Sequence, residues 1–241
     1  MIQLDYCFLV DKLPPPSGEP TADEKVTKEV ARATVLSAVD VTTGMTMAAV
    51  VKNKGSNNYA ITELHRFILE CGRSRGVLQS DQEVAIRALL RDAATRIGMT
   101  TRLSPAYSHQ SQGTAERWHR ELWGLVKVFK EMVKTNYKID QTPATSPLMT
   151  WMVKHASWLH NRYQLHTDGK TSYERRWMEP YTKHICEFGE TVLFNYSAGV
   201  PDKTTASWDY VIWLGRCTQS DEHFVATKQN VHHQRDTMQH Y

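Results

Sequence analysis

The segment from about residue 114 to residue 134 is the clearest helix in the sequence, and its one-sided pattern constrains the fold more than any other feature. One face is apolar, since large hydrophobic side chains recur at helical spacing, so it has to pack against the rest of the chain. The opposite face is polar and mostly basic. The apolar set is Trp118, Leu122, Leu125, Val126, Phe129 and Val133, and the polar set is Glu116, Arg120, Trp123, Lys127, Lys130 and Lys134.

Shorter periodic segments before this helix give the element order β-β-β-α-β-α-β-α, with this helix last, and a further helix follows it. Apolar and alternating runs indicate strands, and the turn Thr42-Thr43-Gly44 joins two of them as a hairpin. Residues 11–29 contain four prolines and many charges, so we expect a loop or insertion there. The predicted strands cover 2–10, 33–41, 45–51, 76–79 and 101–103, and the predicted helices cover 58–71, the segment from just after Asp81 to near Gly98, 114–134 and 148–163.

The pattern changes near Phe188 to short strand-like runs separated by Gly, Pro and Asp. These runs, over 190–194, 210–214 and 223–226, predict a small β-rich domain at the end of the chain. A chain of 241 residues has room for one domain of about 150 residues and a smaller one. The predicted division is therefore an α/β core over 1–165, a helical linker over 166–187 and a small β-barrel-like domain over 188–241.

Composition excludes several classes of protein but does not identify a partner. The formal net charge is +3 and the pI about 8.6, which is too mild to indicate nucleic-acid binding by itself. The four cysteines are scattered without paired spacing, so neither a disulfide framework nor a cysteine zinc site is expected. No apolar run reaches the roughly 18 residues of a membrane span and no signal-peptide pattern is present, so we expect an intracellular protein without a membrane partner. Because Met1 runs straight into an apolar strand, we also expect the chain to be a fragment.

Three carboxylates occupy positions typical of a metal site. Asp5 lies in the middle of an apolar strand, Asp81 at the end of another strand and Glu116 in the first turn of the long helix. Hard divalent cations prefer such oxygens, and two-metal phosphoryl transfer needs several of them from different elements. Taken singly, Asp81 fits a helix cap, Glu116 a capping or solvent-facing role and Asp5 an exposed edge. Burying Asp5 among apolar neighbours is nevertheless costly unless a metal or another partner holds it.

The residues around these acids resemble the catalytic cores of retroviral and retrotransposon integrases. The most specific element is the run Gln110-Ser111-Gln112-Gly113-Thr114-Ala115-Glu116 within residues 104–117. Gln3-Leu4-Asp5 and Ser80-Asp81-Gln82 resemble the segments that hold the first two acids, and 34 residues separate Asp81 from Glu116, close to the family's usual spacing. The resemblance covers roughly 1–165. The tail from Phe188 is similar to the SH3-like barrel that follows many of these cores.

This resemblance implies an α/β, ribonuclease H-like fold: a five-stranded mixed sheet flanked by helices, followed by a small β-rich SH3-like domain. It implies that Asp5, Asp81 and Glu116 bind two Mg²⁺ or Mn²⁺ ions and catalyse DNA 3′-end processing and strand transfer. One ion would activate the nucleophile and the other would stabilise the leaving oxygen. The implied partners are element-end and target DNA and further copies of the chain, which would act in the nucleus without a small-molecule cofactor.

Candidate DNA contacts fall in two groups. The resemblance points to Tyr107, Gln110 and Gln112 in the loop before the long helix. The face of Glu116 adds Arg120, Lys127 and Lys130, because a phosphate backbone lying along that face would pass the metals. An ordinary solvated face is the alternative for these basic residues. Trp123 on the same face fits either a base or sugar contact or an interface anchor.

The sequence departs from the family's pattern in three places. Gln82-Glu83 follows Asp81 where many relatives have Asn-Gly or similar, which leaves the role of Glu83 open. The 11–29 insertion separates the first two strands further than usual, and no histidine of the sequence has a cysteine pair at the ligand spacing of the family's amino-terminal zinc domain. Asp40 is a rival for the first acid, but it lies in the second strand just before the hairpin, whereas the family pattern places this acid in the first strand, which favours Asp5. The alternative functions are an inactive DNA-binding remnant of a retrotransposon polyprotein, and a DDE transposase or nuclease of the same fold.

Overall fold

A mixed five-stranded sheet forms the centre of the core, as a computed structural model of the chain shows. The structure describes residues 1–10, 32–105, 113–195, 208–227, 231–234 and 238–240. The predicted insertion at 11–29 and the loop residues Tyr107, Gln110 and Gln112 lie outside these described residues. The strands are β1 (Ile2–Val10), β2 (Arg32–Asp40), β3 (Thr46–Val51), β4 (Val77–Ser80) and β5 (Thr100–Leu103).

The strand order is β3-β2-β1-β4-β5, so the first strand of the chain occupies the middle of the sheet. β1, β2 and β3 are antiparallel neighbours, whereas β4 and β5 run parallel to β1. This arrangement confirms the predicted mixed sheet. It also places the carboxyl ends of β1 and β4 at the same edge, which is where ligands bind in open α/β sheets.

Helices cover both faces of this sheet. They are α1 (Asn58–Glu70), α2 (Val84–Ile97), α3 (Gly113–Tyr137) and α4 (Pro147–Tyr163). Strand side chains alternate between the faces, so Leu4 and Leu36 pack under α1 and α2, whereas Cys7 and Val35 pack under α3 and α4. By the same alternation Asp5 is on the α3 face. The predicted apolar face of α3 is confirmed, with five of its six residues fully buried and Leu125 partly buried.

A second sheet follows the core and packs against it. It consists of β6 (Thr191–Asn195), β7 (Trp208–Arg216), β8 (His223–Ala226), β9 (Val231–Gln234) and β10 (Met238–His240), all antiparallel in the order β10-β6-β7-β8-β9. Phe188 and Leu214 bury their side chains in the same cluster as α3 and α4. The predicted β-rich tail is therefore a small antiparallel sheet attached to the core.

The connecting segment 166–187, predicted to be helical, contains one short helix, α5 (Ser172–Trp177). Thr171 and Glu174 form a reciprocal capping box that starts this helix. Met178 then adopts a left-handed conformation, with Pro180 just beyond, and the helix ends. In the described part of the chain, no helix combines the length and the apolar character needed to cross a membrane.

Candidate active site

Asp5 projects a carboxylate from the middle of the central strand. Its side chain is half-buried, and the backbone N–H of Tyr6 donates to its Oδ1 at 2.7 Å. The pKa of Asp5 is raised to about 6, chiefly by burial and also by the charges of Asp81 and Glu83, while the Tyr6 hydrogen bond and the charge of Lys54 act in the opposite direction. The carboxylate is therefore held in surroundings that disfavour its charge, as the sequence predicted for an acid inside an apolar strand.

Asp81 lies beside Asp5 because of the parallel register between β1 and β4. Ile2 is opposite Leu78 and Gln3 is opposite Gln79, so the same offset brings Asp5 level with Asp81, the first residue after β4. Neighbouring strands lie about 4.8 Å apart. The charge of Asp81 accordingly contributes to the raised pKa of Asp5. The two acids are on adjacent strands, at the edge where β4 ends.

The segment after Asp81 forms the entry to α2. Asp81 Oδ1 accepts a hydrogen bond from the backbone N–H of Glu83 at 3.0 Å, so one oxygen of this carboxylate stabilises the turn. Glu83 occupies the helix-capping position but makes no side-chain capping bond. Asp81 therefore does stabilise the entry to the helix, as the capping interpretation suggested, but it uses only its Oδ1 to do so.

Glu83 is an additional carboxylate in the site, and Lys54 neutralises it. Lys54 Nζ lies 2.7 Å from both Oε1 and Oε2 of Glu83. The same ammonium sits over the rings of Tyr6 and Phe8, with centroids at 5.5 and 4.8 Å. The role of Lys54 was not predicted, because nothing in the sequence after β3 indicates a contact with the start of α2. The ion pair places a protein cation close to Asp5.

Glu116 lies in the first turn of α3 with an exposed side chain. Its charge acts on His119, one turn further along the helix, while burial of that imidazole lowers its pKa. No three His, Cys, Asp or Glu side chains among the described residues form a group able to hold a metal ion. The register of β1 and β4 places Asp5 level with Asp81, and the charges of Asp81 and Glu83 act on Asp5. Glu116 lies on the helix that packs on this face, but the described side chains do not gather Asp5, Asp81 and Glu116 into one metal-binding group.

A hydrogen-bonded link joins the strands to α3. Ser37, directly opposite Asp5 in β2, is fully buried, and its hydroxyl donates to the backbone carbonyl of Asp5 at 3.2 Å. The same Oγ lies 2.6 Å from Nε2 of His119. Sequence reasoning missed both residues. A fully buried serine in an apolar strand was the available signal, since a buried hydroxyl requires partners.

Asp40, the rival for the first acid, has a structural role. Its fully buried carboxylate accepts hydrogen bonds from the Thr43 hydroxyl at 2.8 Å and from Arg73 Nη2 at 2.9 Å. These contacts fix the turn between β2 and β3 and tie it to the end of α1. The hydrogen bonds of the Asp40 carboxylate are therefore made with Thr43 and Arg73, and not with the acids of the site.

The basic residues of α3 differ in exposure. Arg120 and Lys127 are exposed, whereas Lys130 is half-buried. Trp123 is partly buried and packs against the apolar cluster between α3 and α4, so it faces the protein more than the polar-face prediction implied. Arg120 and Lys127 are the described candidates whose charged groups face solvent on the helix that carries Glu116.

Solved structures with related architecture come from retroviral integrases. A chain in the cryo-EM structure of the simian T-cell lymphotropic virus intasome in complex with PP2A regulatory subunit B56 gamma is 16% identical, with a TM-score of 0.52 over 96% of this chain and 74% of that chain. The BIV integrase catalytic core gives 18% identity, a TM-score of 0.44 and coverages of 73% and 93%. The HTLV-2 integrase catalytic core in complex with magnesium, in a trimeric form, is 14% identical, with a TM-score of 0.49 over 73% of this chain and 94% of that chain. The chain has the fold of a retroviral integrase core.

No protein-family model matches the sequence, and no curated protein matches it significantly. At identities this low the structural likeness shows the fold alone. The chemistry available to this integrase-like core is therefore that of its own residues. The site presents carboxylate oxygens and no thiolate or imidazole among the predicted metal ligands, a donor set that suits Mg²⁺ or Mn²⁺. Burial and, to a smaller extent, the charges of Asp81 and Glu83 raise the pKa of Asp5, and a bound cation would favour its ionised form again.

Proposed function

We propose that this chain is a retroelement integrase that processes DNA 3′ ends and joins them to target DNA with a divalent metal. The observation that carries the proposal is the register of β1 and β4, which sets Asp5 level with Asp81 on the α3 face of an integrase-like sheet. Two carboxylates forced together in this way are unfavourable without a cation. Glu116 completes the set from the first turn of the helix that packs on β1 and β2.

Asp5, Asp81 and Glu116 would hold two Mg²⁺ or Mn²⁺ ions. When bound, such ions supply Lewis-acid activation of a water or 3′-hydroxyl and stabilise the leaving 3′-oxygen of an in-line displacement. The protein's contribution is to orient the carboxylates. The sheet fixes Asp5 through its backbone ladder, and the Glu83 backbone N–H fixes one oxygen of Asp81. Lys54 keeps Glu83 occupied, which leaves Asp5 and Asp81 as the acids for the metal.

DNA would lie along the exposed face of α3. Arg120 and Lys127 follow Glu116 on that face, and eleven residues of helix extend about 16 Å between Glu116 and Lys127. That distance lets a phosphate backbone contact both cations while one phosphodiester lies at the carboxylates. Joining two element ends at one target requires more than one active site. We therefore propose a homo-oligomer that acts on chromosomal DNA in the nucleus.

A branched duplex that mimics the joined product tests this function without knowledge of the element's ends. Attack of a labelled 3′-hydroxyl on the branch-point phosphodiester is the reverse of strand transfer and gives a longer labelled strand. With Mn²⁺, the wild-type chain should form this strand, and Glu116→Gln should form none. Glu131→Gln, an exposed glutamate further along α3, is the matched control.

The nuclease and the inactive-remnant alternatives each give a different result in this assay. Cleavage without joining would favour a nuclease, and DNA binding without either reaction would favour an inactive remnant. Joined product at equal rates from wild type and Glu116→Gln would contradict the assignment of the three acids.

A further inference from the structure

The hydroxyl of Ser37 is the connection between the strand that carries Asp5 and the helix that carries Glu116. It reaches the Asp5 carbonyl at 3.2 Å on one side and His119 Nε2 at 2.6 Å on the other. Ser37 is fully buried, so both of these contacts take place away from solvent. Breaking either hydrogen bond would leave a buried polar group without a partner, which is energetically costly. The three groups are therefore held at fixed distances from one another.

The protons of this link can be assigned by counting donors. A serine hydroxyl has one proton, and Ser37 donates it to the carbonyl of Asp5. When the serine proton is donated to the Asp5 carbonyl, His119 donates from Nε2 to the Ser37 oxygen, which is one of the two tautomers that the 2.6 Å contact accommodates. In a neutral imidazole the proton then resides on Nε2 and not on Nδ1. The resulting order is imidazole N–H to serine oxygen, then serine O–H to the Asp5 carbonyl.

The position of His119 on α3 gives this link a consequence for Glu116. Residues three apart on a helix are neighbours on its surface, so His119 and Glu116 belong to adjacent turns of one face. The coulombic effect of Glu116 on His119 is consistent with that proximity. Because Ser37 contacts both His119 and the backbone of Asp5, the link limits how far the first turns of α3 can rotate or slide relative to β1. The spacing between Glu116 and Asp5 depends on those two motions.

We propose that Ser37 and His119 are positioning residues that set the distance between Asp5 and Glu116 for a shared divalent cation. The proposal rests on the proposed function only for the identity of the acids, because it concerns metal affinity as well as catalysis. Partners behind the ligands of a metal typically contribute 10- to 100-fold in affinity or activity. Neither residue needs to touch the metal or DNA for this effect.

Mn²⁺ binding to the full chain tests the proposal directly, through the electron paramagnetic resonance signal of the free ion. Ser37→Ala and His119→Leu should each weaken Mn²⁺ binding about tenfold. His119→Gln keeps an amide N–H near the position of Nε2 and should bind Mn²⁺ within about twofold of wild type. The double variant should be no weaker than either single one, because both changes break the same link. His65→Leu and Ser74→Ala, at exposed positions on α1 and after it, are the matched controls.

The thermal midpoint of each variant separates positioning from folding. A purely structural role would lower the midpoint and leave the Mn²⁺ affinity of the folded protein unchanged, which would overturn the proposal. Equal loss in His119→Gln and His119→Leu, a hundredfold loss in the double variant, or no Mn²⁺ binding by the wild type would overturn it as well. Mn²⁺ binding with the expected variant pattern but no reaction on the branched duplex would contradict the proposed function and support the positioning role.

Discussion

Asp5 and Asp81 lie level with each other on neighbouring parallel strands of the central sheet, although 75 residues separate them in the chain. The register of β1 and β4 sets this relationship, and the charge of Asp81 adds to the burial that raises the pKa of Asp5 to about 6. Both burial and the neighbouring charge disfavour the ionised form of Asp5. The properties expected of the site follow from that arrangement.

Replacing Asp5 with Asn should stabilise the metal-free protein while abolishing activity. A half-buried carboxylate next to Asp81 is unfavourable, and an amide of the same shape removes the charge. We expect the free energy of unfolding at pH 7 to rise by about 1–2 kcal/mol, measured by urea denaturation in the presence of a chelator. Asp92→Asn, at an exposed position on α2, should leave it unchanged. A less stable Asp5→Asn protein would contradict the view that this carboxylate is strained without a cation.

Asp81 and Glu83 should differ in their effect on catalysis despite being neighbours. Glu83 is held by Lys54 through both oxygens, so Glu83→Gln should lower the single-turnover rate on the branched duplex less than tenfold. Asp81→Asn should lower that rate by at least a hundredfold, because it removes a proposed metal ligand. The reverse ranking of the two variants would reassign the second acid to Glu83.

The sequence predicts those features of the site that depend on residues close together in the chain, and it does not predict contacts between distant segments. The apolar period of α3 and the buried setting of Asp5 are local patterns, and both were predicted. The contacts of Ser37 with His119 and of Lys54 with Glu83 join residues 82 and 29 positions apart, so they follow from register and packing. Periodicity carries no information about such pairs. The segment 166–187 was predicted to be a helical linker, but its helix covers six residues, because the capping box at Thr171 starts it late and the left-handed Met178 ends it.

DNA binding should depend on salt through the cations of α3. Arg120→Gln and Lys127→Gln should each weaken binding to duplex DNA regardless of sequence. Each should also reduce the slope of log affinity against log salt by about one, because each removes one phosphate contact. Fluorescence anisotropy across a salt series measures both effects. Arg75→Gln changes an exposed arginine just before β4, at the opposite end of that strand from Asp81, and should leave the slope unchanged.

Protein stability should fall as pH rises through the titration of Glu70. Burial raises the pKa of Glu70 from its ordinary 4.5 to about 7, although Arg162 lies 4.0 Å away, and burial also lowers the pKa of that guanidinium. Between these pH values the folded chain keeps a proton that the unfolded chain has released. Stability is therefore lost on going from about pH 4.5 to pH 7 and stays level above it.

The free energy of unfolding of Glu70→Gln should fall by about 2 kcal/mol less than that of the wild type between pH 4.5 and pH 7. Urea unfolding at a series of pH values measures this difference. Glu131→Gln, which changes an exposed glutamate, should retain the wild-type decline. A Glu70→Gln profile parallel to that of the wild type would contradict the account of this buried pair.

The contact between the second sheet and α4 should be sensitive to Gly215. This residue has φ of +132°, and a Cβ there would lie 3.0 Å from Nδ1 of His155, a buried imidazole packed among Phe129, Phe188 and Trp213. Gly215→Ala should therefore destabilise the protein by about 2–4 kcal/mol. Gly98→Ala also has positive φ but meets no atom within 4 Å, so it should cost only about 1 kcal/mol. Equal losses of unfolding free energy in urea would show that the contact with His155 is unimportant.

The most direct test of the account is the position of Mn²⁺ in crystals of the full chain, located by anomalous diffraction. The account predicts an ion with carboxylate oxygens of both Asp5 and Asp81 at about 2.0–2.2 Å, and an oxygen of Glu116 on this ion or on a second one nearby. An ion bound elsewhere, or one bound by Glu83 in place of Asp5, would contradict it.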